Sequence, residues 1–302
     1  MELLDRLKEQ YEWQDVKFVN EQLVETELGR KRVRYWTDKA LLDWHIAWRD
    51  GCSVTPYMQT DRMIRNKDQQ AWIDWKEGWL TVHDEVDNSF RLNQSDQKVG
   101  QMIGTMIAYG LRANPELDPA KPKEPLFQTA FNHLSALKEE QRILIRSLIK
   151  ESDVRMRKAK ALTADKKEQL PILDPLTSID QAQTIHQIFL WFGSTNQPER
   201  GYYSLRSFLL KWLETNGTES LQALLEELFN NQAMTRDQAI LLLAECLKPY
   251  ELDRLVREMT KGTEQQQIEE TIEAVTKEWE QSKELVQKLS VLIDSKKKVL
   301  TT

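Results

Sequence analysis

The chain has 302 residues, 40% hydrophobic and 30% charged, the balance of a globular protein with one large domain or two lobes. Its 42 basic and 48 acidic side chains give a net charge of −6, and residues 1–90 carry 13 basic against 18 acidic, so no basic excess points to nucleic acid. Ten glycines in 302 residues predict a mostly helical chain, the longest apolar run (near Ile185–Phe192) is far short of the ~20 residues of a membrane span, and the opening MELLDRLKEQYEW lacks the apolar stretch of a signal peptide.

Seven of the ten tryptophans (Trp13, Trp36, Trp44, Trp48, Trp72, Trp75, Trp79) fall within the first 90 residues, together with nearly all the strand-like sequence. Val16–Thr26 and Lys31–Trp36 flank Glu27-Leu28-Gly29-Arg30, where Gly29 can supply positive φ, and are expected to form a hairpin. A helix is expected over 38–50, with Thr37 as N-cap and Gly51 as its stop. Leu41, Trp44, His45 and Trp48 lie on one face. Val54–Thr60 reads as a strand. A second hairpin, Gln70–Trp75 with Trp79–Val82, turns at Lys76-Glu77-Gly78. The order β–β–α–β–β–β therefore precedes Asn88.

Helical periodicity follows. Ser95–Leu111 has an apolar stripe at Val99, Met102, Ile103, Met106 and Ile107. Four prolines (Pro115, Pro119, Pro122, Pro125) mark a surface loop, and helices are expected at 126–137 and 138–160. Ser178-x-x-Gln181 and Thr235-x-x-Gln238 read as capping boxes opening helices 178–192 and 235–247. Further helices are expected near 202–215, 219–231, 250–261 and 263–297. Residues 95–297 should be almost wholly helical. No period of 20–50 residues repeats. Cys52 and Cys246 have no metal or redox spacing and are expected to be core residues in a reducing cytoplasm.

A small β-rich lobe before a larger helical one is the layout of a kinase-type phosphotransferase, whose chemistry is specific enough to test. It needs a glycine loop over the phosphates, a lysine on the third strand, a carboxylate on the first helix, a catalytic Asp and a metal-binding Asp. Between Val16 and Arg34 the only glycine is Gly29, and the strand ends Arg34-Tyr35-Trp36 rather than apolar-apolar-Lys. Arg34 is read as a solvated strand charge, with phosphate binding as the competing reading. The helix has Asp38 and Asp43 but no glutamate. None of His45, His83, His133 or His186 has Asp at +2, as the catalytic loop requires. Asp174 before Pro175, and Asp180 in the first turn of a capped helix, are explained by turn and dipole chemistry. There is no G-x-S-x-G, H-E-x-x-H or P-loop. The run Arg30–Trp36 is read as a hairpin face rather than a base-stacking surface.

The hairpin around Gly29, the helix TDKALLDWHIAWRDG, the stretch VTPYMQTDRMIRNKDQQAWIDWKEGWLTV, DPLTSIDQAQTIHQIFLWF and the closing AECLKPYELDRLVREM carry a resemblance. Their order resembles the spore-coat kinase-like proteins of endospore-forming bacteria (the CotS/YutH type), distant relatives of aminoglycoside and choline phosphotransferases. The resemblance implies an α+β, helix-rich, bilobal protein-kinase-like fold, with an N-terminal lobe over 1–90 and a helical C-terminal lobe over 91–302. It also implies a degenerate member, a pseudokinase, because the strand lysine, the H-x-D loop and the D-x-D pair have no matching residues.

The leading expectation is thus a catalytically inactive binding or scaffold protein, without cofactor or metal. It would act in spore coat or envelope assembly, in the mother-cell cytoplasm or the coat, with spore coat proteins among its partners. One alternative is a divergent active small-molecule phosphotransferase using Arg34 with Asp174 or Asp180. Another is a non-kinase helical interaction protein. Seven indoles exceed what a sheet of about 75 residues can bury fully. Trp72, Trp75 and Trp79, with Arg34, are therefore the candidate partner-binding residues.

Overall fold

The computed structural model describes residues 2–85, 90–91, 96–185, 187–262 and 264–299. The N-terminal part opens with α1 (Leu3–Tyr11), which the sequence analysis did not anticipate. Next come β1 (Val16–Asn20), β2 (Leu23–Thr26), β3 (Gly29–Trp36), α2 (Lys39–Cys52), β4 (Met58–Thr60), β5 (Ile73–Trp75) and β6 (Gly78–Asp84). Five strands form an antiparallel sheet in the order β1-β2-β3-β6-β5. Strand alternation gives the sheet two apolar faces. Val16, Val24, Val33, Ile73, Leu80 and Val82 pack on Leu7 and Tyr11 of α1, while Trp36 points to the opposite side, with Leu42 of α2 and Met63.

Several expectations are corrected in this region. Val16–Thr26 is two strands, broken at Glu21-Gln22, so the Gly29 turn (φ 90°) joins β2 to β3. Asp38, not Thr37, caps α2 by accepting from the Leu41 amide at 3.1 Å. Gly51 does not stop that helix. It lies inside it, where a Cβ would come within 2.5 Å of the Tyr109 ring. Only Met58–Thr60 of the expected Val54–Thr60 strand is extended, and it leaves the first sheet to run parallel to a strand more than a hundred residues later.

The second part holds β7 (Phe90–Arg91), α3 (Asp96–Gly110), a 3₁₀ helix (Phe127–Ala136), α4 (Glu139–Thr163), β8 (Ile172–Leu173), β9 (Ala182–Ile185), β10 (Ile188–Trp191) and β11 (Glu199–Arg200). It ends in α5 (Tyr203–Asn230), α6 (Arg236–Leu247), α7 (Glu251–Lys261) and α8 (Gln265–Val299). Gly217 (φ 82°, ψ 179°) breaks α5 into the two helices expected. Thr235 caps α6 through the Gln238 amide.

The helix expected over 178–192 is absent. Ser178 and Gln181 do form the capping box, but around one 3₁₀ turn, after which the chain becomes the β9–β10 hairpin. β-Branched and aromatic residues fill it, and Ala182, Phe189 and Trp191 are buried, so a period of two wins over the helical one. The expectation of an almost wholly helical second part is therefore corrected: β4-β10-β9-β7 form a four-stranded sheet, and β11 pairs with β8.

One large core joins α3, α5, α6 and the end of α8 to the Trp44, Trp48 and Cys52 face of α2. A second core lies between the 3₁₀ helix, α4, α7 and α8. Glu251 in the second part is fully buried between Arg155 (3.0 Å) and Arg206 (2.9 Å), tying α4, α5 and α7 together. Cys52 and Cys246 are free, buried core residues, as expected, and burial pushes the Cys246 thiol up to about 12. Among the described residues no helix is long and apolar enough to cross a membrane.

Candidate functional site

The sheet and the helical part meet at a cleft of about 700 Å³. The Glu21-Gln22 turn, Arg32–Tyr35 of β3 and Trp75-Lys76 line one side; Thr177 and Gly193–Asn196 line the other. Behind this wall lies a buried ionic cluster that joins β3, α2, β4 and the segment after β10.

Its centre is Asp61, just past β4. Oδ1 accepts from Arg49 Nε at 3.0 Å and from the Gly193 amide at 2.8 Å, while Oδ2 lies 3.1 Å from an Arg34 terminal nitrogen. Burial alone would raise this carboxyl. The charges of Arg49 and Arg34 and the Gly193 amide outweigh that cost and hold it below the usual carboxylate range. Arg49 is completely buried on the inner face of α2. It also donates to the Ser194 carbonyl at 2.9 Å and to His45 Nδ1 at 2.9 Å. A guanidinium cannot accept, so His45 Nδ1 carries a lone pair, and the neutral ring donates through Nε2 to the Asn196 carbonyl at 2.9 Å. Burial, then the Arg49 charge, pushes His45 down to about 3.

His83 on β6 is fixed the same way. Its Nδ1 faces the Asp61 carbonyl at 2.9 Å and must donate, which leaves Nε2 to accept from Thr81. Thr81 in turn accepts from Trp36 Nε1 at 2.9 Å. The result is a directed chain, Trp36 to Thr81 to His83 to Asp61. Burial pushes His83 down to about 3.

Asp174 follows β8 and is also buried. Its two oxygens accept from the Ser194 amide at 2.7 Å and the Ser194 hydroxyl at 2.5 Å. Burial raises it to about 6 against the pull of Arg49 and Ser194. Gly193 is required here, because a Cβ would approach Arg49 Nη2 to 2.7 Å and the Trp48 ring to 2.8 Å.

The residues singled out from sequence divide between two places. Arg34 and Trp75 both line the cleft. Trp72 and Trp79 pack instead with Trp36, Leu42 and Met63 on the α2 side of the sheet, and Lys39 sits over the Trp72 ring at 4.8 Å. All three indoles are half-buried rather than exposed. Arg34 is not the solvated strand charge expected: its side chain is 17% exposed and ion-paired. Asp180 lies exposed in the 3₁₀ turn, away from the cleft wall. His186 lies outside the described residues. Sequence reasoning missed Asp61, Arg49 and Ser194. The available signal was Arg49 four residues after His45 on an apolar helix face, since a buried guanidinium demands a carboxylate.

Whether a magnesium-nucleotide fits can be judged from these residues. The turn over the cleft, where phosphates would need a glycine cradle, is Glu21-Gln22. It is held by the Gln22 amide donating to Asn20 Oδ1 at 2.9 Å, and its acid repels phosphate. Trp191-Phe192-Gly193, leading into the cleft wall, brings a buried indole and no carboxylate. Both Asp174 oxygens and Asp61 Oδ1 accept from protein donors, while Asp61 Oδ2, buried and without a hydrogen-bond partner, is ion-paired to Arg34 at 3.1 Å. Among the described residues no three His, Cys, Asp or Glu gather as a metal site. These residues do not fit the nucleotide and its metal.

No family model and no curated protein matches the sequence. Solved structures do match the fold. An aminoglycoside phosphotransferase from Alicyclobacillus acidocaldarius has a TM-score of 0.66 at 11% identity, over 94% of this chain and 93% of that one. A spectinomycin phosphotransferase, solved with ADP and spectinomycin, gives 0.54 at 7% identity, over 95% and 98%. A microcompartment-associated aminopropanol kinase gives 0.53 at 10% identity, over 90% and 93%. The likeness is one of fold: this chain has the kinase-like architecture of small-molecule phosphotransferases, a small antiparallel sheet region followed by a large helical part.

Proposed function

We propose that the protein is a catalytically inactive, kinase-like binding protein, with residues 1–90 and 91–302 as its two lobes. The observation that carries this reading is the fate of the carboxylates. Asp61 and Asp174, behind the cleft wall, are buried and held by Arg49, Arg34, Gly193 and Ser194. A phosphotransferase needs such acids free for metal and base. Here Asp61 of the first lobe holds Gly193 of the second, and Asp174 holds Ser194 within the second.

The resemblance to spore-coat kinase-like proteins supports a role in coat or envelope assembly, in the mother-cell cytoplasm or the coat, through protein partners. A tagged copy followed through sporulation should collect at the forespore surface; uniform distribution would end that assignment. The catalytic part is tested by incubating the purified chain with labelled ATP, magnesium and a panel of aminoglycosides, choline and aminopropanol. No transfer above background is expected. Transfer abolished by Asp174→Ala in a folded variant would support a divergent phosphotransferase instead.

A further inference from the structure

We infer that the proline segment between α3 and the 3₁₀ helix is a docking ridge for a partner protein whose groove is lined with aromatic side chains. This surface lies outside the cleft, so it binds or fails to bind independently of any chemistry there. Residues 118–125, DPAKPKEP, carry proline at every third position: 119, 122 and 125. Each proline ring fixes its own φ at about −65° and disfavours the helical region for the residue before it, here Asp118, Lys121 and Glu124. Six of the eight residues are thereby biased towards polyproline II, a helix that also turns once in three residues.

The rest of the protein holds the segment at that same interval. The Ala120 amide donates to the Pro198 carbonyl at 2.7 Å, the Lys123 carbonyl accepts from the Tyr250 hydroxyl at 3.0 Å, and the Leu126 amide donates to Asp253 at 2.7 Å. Lys123 also lays its ammonium over the Tyr203 ring at 4.4 Å. Among the described residues, every hydrogen bond of 118–125 leads to another part of the chain and none joins two residues of the segment. Polyproline II has this character, since it makes no internal hydrogen bonds.

Pro122, at the middle of the ridge, is exposed, and Pro119 and Pro125 are half-buried. The exposed Asp118, Lys121 and Glu124 alternate in sign, so the spacing of the rings selects the partner and charge does not. Prolines at i, i+3 and i+6 share one edge of the helix, and such an edge docks in an aromatic-lined groove. A strap already pinned in this conformation has lost the freedom that a loose peptide gives up on docking. Stiffening a loop would require no common three-residue register between prolines and anchors.

The test titrates the full chain into a panel of purified, fluorescently labelled SH3 and WW domains, whose grooves are of this kind. Anisotropy should show binding by at least one of them. That domain should slow hydrogen exchange at the Lys121, Lys123 and Glu124 amides and leave Arg32–Tyr35 of the cleft unchanged. Pro122→Ala should weaken it about tenfold, and because Pro122 is exposed the variant should melt within a few degrees of the wild type. No binding by any domain, protection elsewhere than 118–126, or undiminished binding by Pro122→Ala would overturn the inference.

Discussion

Asp61→Asn isolates the electrostatic centre of the molecule. The substitution keeps the shape and one carbonyl oxygen for Arg49 Nε and the Gly193 amide, but it removes the only negative charge lying within 4 Å of both Arg49 and Arg34 among the described residues. It also turns an NH₂ group toward the Arg34 guanidinium, donor against donor. Arg49 is 0% exposed and cannot be reached by water as a substitute partner. Breaking a buried pair by removing one member costs ~3–5 kcal/mol, because the remaining charge is left uncompensated. For a chain of this size that corresponds to a fall in melting temperature on the order of 10 °C. Urea unfolding followed by tryptophan fluorescence reads it directly. Adding Arg49→Met should recover part of the loss, since the stranded guanidinium is then gone. A loss below about 1 kcal/mol, or a gain in stability, would refute the reasoning. It would mean that Asp61 is held at a cost for some other purpose, as a catalytic carboxylate is.

Other outcomes follow from the same contacts. His45 is held at about 3 against 6.5 when unfolded, so the unfolded chain alone binds its proton between those values and stability falls as pH drops through that window. His45→Gln should make this acid loss shallower by up to ~1.4 kcal/mol per pH unit in urea titrations. Asp174 has the opposite sign: raised to about 6 from 3.8, it favours the folded state at low pH and loses that contribution as pH rises through 6. Asp174→Asn should therefore steepen the acid loss between pH 4 and 6. Gly193→Ala should cost ~1–3 kcal/mol by overpacking against Arg49 and Trp48, seen as a lower urea midpoint with unchanged m. Trp79→Ala should lower stability by about 2–4 kcal/mol, seen as a lower urea midpoint.

The architecture was legible where the local pattern and the tertiary fold agree. The Gly29 turn, the Lys76-Glu77 turn, the apolar stripe of α3 and the Thr235 cap are each fixed by residues within a few positions of one another. The misread elements depend on distant partners. Ser178-x-x-Gln181 makes its capping box, yet the following residues become strands because β10 lies between β9 and a β4 contributed from Met58–Thr60. Local chemistry at Ser178 cannot report that neighbour.

The site divides in the same way. Arg34 could be singled out as a charge on the third strand, but its burial depends on Asp61, 27 positions later, and on Gly193. Trp72, Trp75 and Trp79 were grouped by proximity in sequence. Strand alternation and the β5–β6 turn send Trp75 to the cleft and the other two to the α2 side. The missing glycine loop and catalytic histidine were visible from the start, since these are local motifs. The capture of the remaining carboxylates by arginine and serine was not.

The central claim, a phosphotransferase fold whose acids serve structure rather than catalysis, is tested most directly by thermal melting with millimolar ATP, with and without magnesium. A ligand at about 100 times its dissociation constant stabilises a folded protein by ~2.7 kcal/mol, a shift of several degrees. The account predicts coincident melting curves with and without magnesium-ATP. A magnesium-dependent rise of several degrees, lost in Asp174→Ala, would contradict it.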